Sequence, residues 1–242
     1  MAQGEKVQRT IDEFVSMMKT KAGENLLSMI VYGSAATNEY SEKYSDVNIL
    51  CVLARLDGED LRNIASAMQW WERHGRAALV LSLDELTRSA DVFAIELLDI
   101  KEHHRILYGQ DVVAGIEVPL TLHRIQVERE LRMALIRLRQ RFLSGAHDRR
   151  ALVQLLIASS STFNTLLRHA LIALGHTPPQ NRHEVADAIQ TVLASDMSPL
   201  RTVLDVRDGK ITERNLDPEK VFGSYLDALS AIVDKVDRQL SA

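Results

Sequence analysis

The stretch Val31–Leu53, VYGSAATNEYSEKYSDVNILCVL, decides the fold. It begins as an apolar strand end, breaks at Gly33-Ser34, runs through a polar loop and returns at Asp46-Val47-Asn48 to the apolar run ILCVL. Glycine after a strand lets the backbone turn tightly and approach a ligand. Ser34 offers a hydroxyl, and AATN can begin a helix whose free N–H groups favour phosphate. Successive strand side chains alternate, so Asp46 and Asn48 share one face while Val47 and Ile49 point into the core.

Outward from this stretch, helix and strand patterns alternate. Ile11, Phe14, Val15, Met18, Leu26 and Leu27 recur at helical spacing and lead into a strand at SMIVYG. After DVNILCVL comes a helix, GEDLRNIASAMQWWERHG, with Gly75 in a C-cap position. AALVLSLDEL reads as a strand turning into a short helix, with Ser82 and Glu85 forming a capping box. DVFAIELLDI reads as a buried strand and KEHHRILYG as its helical or turning exit. Near Gly115–Pro119 the texture changes, and from Thr121 the periodicity is almost entirely helical. Ile125, Leu131, Leu135, Leu138 and Phe142 line one side of the first long helix, a second ends at Gly175, EVADAIQTVLAS follows, and VFGSYLDALSAIVDKVDRQL closes the chain. The expected organisation is an α/β (α+β) domain with a small mixed sheet over residues 1–115 and an all-α helical bundle over 116–242.

Composition narrows the function classes. With 242 residues, 46% hydrophobic and 26% charged, the chain can bury a sizeable core. A net charge of −4 gives no global push toward nucleic acid or an anionic membrane. The single cysteine, Cys51, sits in an apolar run and reads as a buried small hydrophobe in a reduced, cytoplasmic protein. No stretch approaches the roughly 20 apolar residues that span a bilayer, and the N-terminus lacks a signal-peptide core.

The acid in AIELLDI matters next. Glu96 on a buried strand would need a partner, and a cation is one such partner. With Tyr32-Gly33-Ser34 and Ser45-Asp46-Val47-Asn48 it resembles the polymerase-beta-like nucleotidyltransferase superfamily, in its kanamycin-nucleotidyltransferase-like and minimal-nucleotidyltransferase branch. That family's pattern is Gly-Ser or Gly-Gly, a spacer of about ten residues, Asp-x-Asp or Asp-x-Glu, and a third acid on a later strand; the branch adds a C-terminal helical bundle. The resemblance implies transfer of a nucleoside monophosphate from an NTP to a hydroxyl of a small molecule or protein, dependent on Mg²⁺ or Mn²⁺. It implies that Gly33 and Ser34 contact the triphosphate, that Asp46, Asn48 and Glu96 meet metal, and that Asp46 and Glu96 are catalytic, with Asp99 the competing acid.

Asn48 departs from the pattern, since an amide oxygen brings no charge to a cation. Glu42 in the preceding loop is a candidate stand-in. The alternative is a nucleotide- or partner-binding regulatory module of the same fold, a toxin–antitoxin component included. The arginines between Arg124 and Arg141 read as a salt-bridged face, with Glu128 and Arg132 four apart, or as a basic wall for triphosphate or acceptor. That helix is too short to argue for nucleic acid by itself. RFLSGAH, Arg141–His147, fits a loose Arg-x(4–6)-His nuclease pattern that chance supplies easily in an arginine-rich chain. His103 and His104 read as surface residues, and Trp70 and Trp71 as one partly exposed and one core. The acceptor, the preferred base and a homodimer are left open.

Overall fold

The computed structural model describes residues 2–36, 47–75, 77–145 and 148–241. Two compact units divide at Pro119/Leu120.

The first unit is built on a four-stranded mixed sheet. β1 (Leu26–Tyr32) is central and antiparallel to both β2 (Asn48–Leu53) and β4 (His104–Gly109), while β3 (Leu79–Ser82) runs parallel to β2, giving the order β3-β2-β1-β4. The apolar residues of β1 and β2 alternate between two cores. Met29, Val31, Ile49, Cys51 and Leu53 pack with α1 (Ala2–Ala22) and α2 (Gly58–Trp71). Ile30, Leu50 and Val52 pack with Leu86 of α3 (Leu83–Arg88), Leu97 and Ile100 of α4 (Ala94–Glu102), and Val113 and Ile116 beyond β4.

Local signals set the helix starts. Asp57 accepts the N–H groups of Glu59 and Asp60, and Asp60 returns a carboxylate to the Asp57 N–H. Ser82 and Glu85 form the expected box at α3. The C-cap of α2 is Glu72, with Gly75 three residues further on.

Two elements of this unit differ from the sequence reading. AIELLDIKE is the helix α4, because Ala94, Leu97 and Ile100 recur three residues apart as buried positions, Leu97 and Ile100 packing against the sheet. HRILYG is the strand β4, whose hydrogen bonds to β1 are long-range and leave little trace in its own sequence. The third acid therefore does not lie on a strand: Glu96 stands in the first turn of α4, exposed.

Cys51 is fully buried in β2, and burial pushes its thiol up to about 12. A thiol with a raised pKa stays protonated, and hence unreactive, across neutral pH. An aromatic disulfide reagent at pH 8 is expected to leave it unlabelled in the native protein and to label it stoichiometrically in guanidinium; prompt native labelling would contradict this burial.

The second unit is helical throughout its described residues. α6 (Arg149–Ala173) meets α5 (His123–Gly145), α7 (Arg182–Leu193), α8 (Ser198–Arg207) and α9 (Pro218–Ser241). Being surrounded, it buries residues on nearly every face, including the polar Ser160, Asn164, Arg168 and His169. His123 and His169 meet at 3.0 Å between Nε2 and Nδ1 inside this core. On α5, Val127 and Ala134 join Leu131, Leu135 and Leu138 in the core, whereas Ile125 is 66% exposed and off the expected stripe. α8, drawn from PLRTVLDVR, is a helix that the polar-looking sequence around it hides.

Candidate functional site

Two of the candidate residues, Gly33 and Asn48, meet at the end of β1 where the chain leaves the sheet. Gly33 has φ +72°, the left-handed region that glycine enters without strain, and it opens a 3-10 turn over Gly33–Ala36. Its N–H donates to the His103 carbonyl at 3.0 Å, tying the turn to the C-terminus of α4. A Cβ built on Gly33 would lie 3.2 Å from Asn48 Nδ2, so the amide packs directly against the bare glycine.

The register explains the proximity. Tyr32 pairs with Asn48 on one side and with His104 on the other. Directly opposed residues of antiparallel strands put their side chains on one face. Asn48, Tyr32 and His104 thus form a row across three strands, on the face that carries Ile30, Leu50 and Ile106. Val47 and Val31 are buried on the opposite face with α1, and Arg105 is also turned there, donating to Gln8 of α1 at 3.1 Å.

The row ends in a hydrogen-bonded pair. His104 Nε2 lies 3.1 Å from Asp111 Oδ2, and the other carboxylate oxygen of Asp111 accepts the N–H groups of Ala114 (3.0 Å) and Val113 (3.2 Å). Burial raises the Asp111 carboxyl, but the His104 hydrogen bond, the Ala114 N–H, the His104 charge and the Val113 N–H together hold it below its ordinary value. His103, by contrast, is the C-cap of α4 with its ring 3.9 Å from Glu102. Sequence reasoning assigned both histidines to the surface. The signal for His104 is the register of β4, which only the sheet reveals.

The expected residues divide as follows. Gly33 and Asn48 are together at the β1–β2 corner. Asp46 and Glu42 lie outside the described residues, as does the side chain of Ser34. Glu96 is on α4, and none of the four strands carries an acidic residue. Among the described residues no three His, Cys, Asp or Glu side chains converge to hold a metal ion. Among the described residues a neutral amide stands at 48 and the strands carry no carboxylate. Two of the α5 arginines pair with acids: Arg132 with Glu128 (2.9 Å) and Asp237 (2.8 Å), Arg129 with Glu130 (2.6 Å). His147 of the loose nuclease pattern lies outside the described residues. Trp71 is core and Trp70 half-buried. No described helix is long and apolar enough to cross a membrane.

A small mixed sheet with a glycine turn at the end of its central strand, followed by a helical unit, is the fold of a nucleotidyltransferase. The chain is similar to spectinomycin adenyltransferase AAD(9) from Enterococcus faecialis, whose structure was solved with ATP and spectinomycin. The TM-score is 0.57 over 92% of this chain and 99% of that one, at 12% identity. No protein-family model and no curated protein matches the sequence.

Replacing Gly33 tests how tightly this corner is built. Alanine at φ +72° costs about 1–2 kcal/mol of backbone strain, and its Cβ would crowd the Asn48 amide. For a chain of this size Gly33→Ala is expected to lower the melting temperature by roughly 2–8 °C in a calorimetric scan. An unchanged melting temperature would mean that the turn tolerates a side chain.

Proposed function

We propose that this protein binds a nucleoside triphosphate at the Gly33–Asn48 corner and transfers its nucleoside monophosphate to a hydroxyl of a small molecule or protein. The observation that carries the proposal is the left-handed Gly33 turn packed against Asn48, at the end of the central strand of a nucleotidyltransferase fold. Ser34, next to the glycine turn, is the proposed hydroxyl contact for the phosphates. The NTP enters as its Mg²⁺ or Mn²⁺ complex, the cation supplying charge neutralisation, with Asp46 and Asn48 the proposed contacts and Glu96 a more distant candidate. The match to an adenyltransferase makes ATP the first nucleotide to try and spectinomycin the first acceptor. The membership proposed is the kanamycin-nucleotidyltransferase-like branch.

Calorimetric titration with ATP, GTP, CTP and UTP, each with Mg²⁺ or Mn²⁺, tests the binding half. Micromolar affinity for at least one nucleotide is the expected result; no heat with any of them would end the proposal.

The neutral Asn48, with no carboxylate on the strands among the described residues, favours a second reading, in which the fold binds nucleotide or a partner as a regulatory module, a toxin–antitoxin component included, and transfer has been lost. Nucleotide binding without movement of an α-phosphate label would select it.

A further inference from the structure

We propose that His104, held by Asp111, is the general base that takes the proton from the acceptor hydroxyl; this rests on the transfer reading above. The starting observation is chemical. A hydroxyl must lose its proton as it attacks phosphorus, and among the described residues the strands of this sheet supply no carboxylate to receive it. On the face that carries Asn48, the same cross-strand row supplies an imidazole instead. By strand spacing the backbones at 48 and 104 stand about 10 Å apart across Tyr32.

The pair is built for proton transfer. A base is recognised by its own side chain and by the third group that orients it. Asp111 is immobilised through one oxygen by the Ala114 and Val113 N–H groups and presents the other to His104 Nε2 at 3.1 Å. That contact keeps the ring proton on Nε2 and leaves the lone pair on Nδ1, which has no hydrogen-bond partner among the described residues. The His104 side chain is 15% exposed, sheltered yet not sealed. Its charged neighbours are otherwise engaged: Lys101 with the Ile116 carbonyl, Arg105 with Gln8 on the opposite face, and Glu102 beside His103. The Gly33 N–H on the His103 carbonyl fixes the histidine segment to the turn proposed to hold phosphate.

The step balances without a further reactant. The acceptor oxygen forms a bond to the α-phosphorus, the bond from that phosphorus to the bridging oxygen breaks, and pyrophosphate leaves with the electron pair. The hydroxyl proton passes to His104 Nδ1, and the imidazolium is stabilised by the Asp111 carboxylate.

Two conservative variants test the assignment: His104→Gln, and Asp111→Asn, which keeps an oxygen for the Ala114 and Val113 N–H groups. The probes are ATP labelled at the α-phosphate, with Mg²⁺, and spectinomycin heading a panel of hydroxyl-bearing acceptors. His104→Gln is expected to lower kcat by about 10²–10⁴-fold while the ATP dissociation constant from calorimetry stays within threefold. Asp111→Asn removes the anion that stabilises the imidazolium formed in the step, so kcat is expected to fall by about tenfold or more while the ATP dissociation constant stays within threefold. A purely structural pair would weaken ATP binding and kcat together. A kcat within threefold of wild type in His104→Gln overturns the role of His104 alone. ATP binding by the wild-type protein with no label transferred overturns the transfer reading, and the general base falls with it.

Discussion

Asn48→Asp is expected to tighten the Mg²⁺–ATP complex by about 100-fold. A unit charge pair at 4 Å and an effective dielectric near 20 is worth about 4 kcal/mol, and a divalent ion doubles the charge product. Against this stands repulsion from Asp46. Two residues of chain span at most about 7 Å, where like charges repel by about 2 kcal/mol before solvent screening. The two terms leave an upper limit of about 6 kcal/mol; solvent screening of this half-exposed corner reduces it to a net gain of about 2.7 kcal/mol, the 100-fold expected. Without metal only the repulsion remains, so the variant melts below wild type and recovers when Mg²⁺ and ATP are added together. Gly33 leaves space for the exchange, because the amide already packs against a residue without a side chain. Calorimetric titration of both proteins is the measurement. Equal affinities would show that residue 48 does not reach the cation.

Trp71→Ala is expected to cost about 4 kcal/mol of stability, within the usual range for removing a large aromatic side chain from a core. Trp71 is 1% exposed and stacks on Phe14 of α1, ring centroids 4.8 Å apart and planes 20° from parallel. The contact staples α2 to α1, and both helices cover the same face of the sheet. Collapse around the void is limited, since a Cβ on Gly75 would already meet the indole at 2.7 Å, showing how closely the backbone approaches it. Whole domains are stable by only about 5–15 kcal/mol, so the loss is a large share of the total. Urea unfolding followed by circular dichroism gives the number. Trp70, the other tryptophan of the chain, remains as a fluorescent reporter. A loss under 1 kcal/mol would mean that the aromatic stack contributes little.

What was legible in the sequence was what local chemistry encodes. The Ser82–Glu85 box is a contact between neighbours in sequence, so its spacing reveals it before any fold is known. β1 and β2 are apolar on both faces because helices cover both, and runs of aliphatic residues record this directly. The misread segment was ambiguous for a physical reason. A short apolar run fits a buried strand and a buried helix alike, and DVFAIELLDI was assigned to the wrong one, carrying Glu96 to a strand it does not occupy. β4 was hidden because its two leading residues, His104 and Arg105, are polar, and their place in the sheet comes from partners about 70 residues away in sequence. Half of the candidate corner, Gly33 with Asn48, followed from turn chemistry and side-chain alternation. The histidine half depends on pairing register, which no local pattern contains.

That register has a consequence for how the site could be gained or lost. Gly109 closes β4 with φ +77°, and a Cβ there would overlap the Leu27 carbonyl oxygen at 1.9 Å. The far end of the strand is therefore seated by a residue that admits no substitute, much as a notch sets a ruler against an edge. A slip of one residue turns every side chain of a strand to the other face. Slipping β4 would carry His104 over to α1 and bring Arg105 beside Tyr32 and Asn48, exchanging a group that can accept a proton for one that never does. A glycine five residues from His104 along the strand thus decides whether the corner holds a base or a permanent cation.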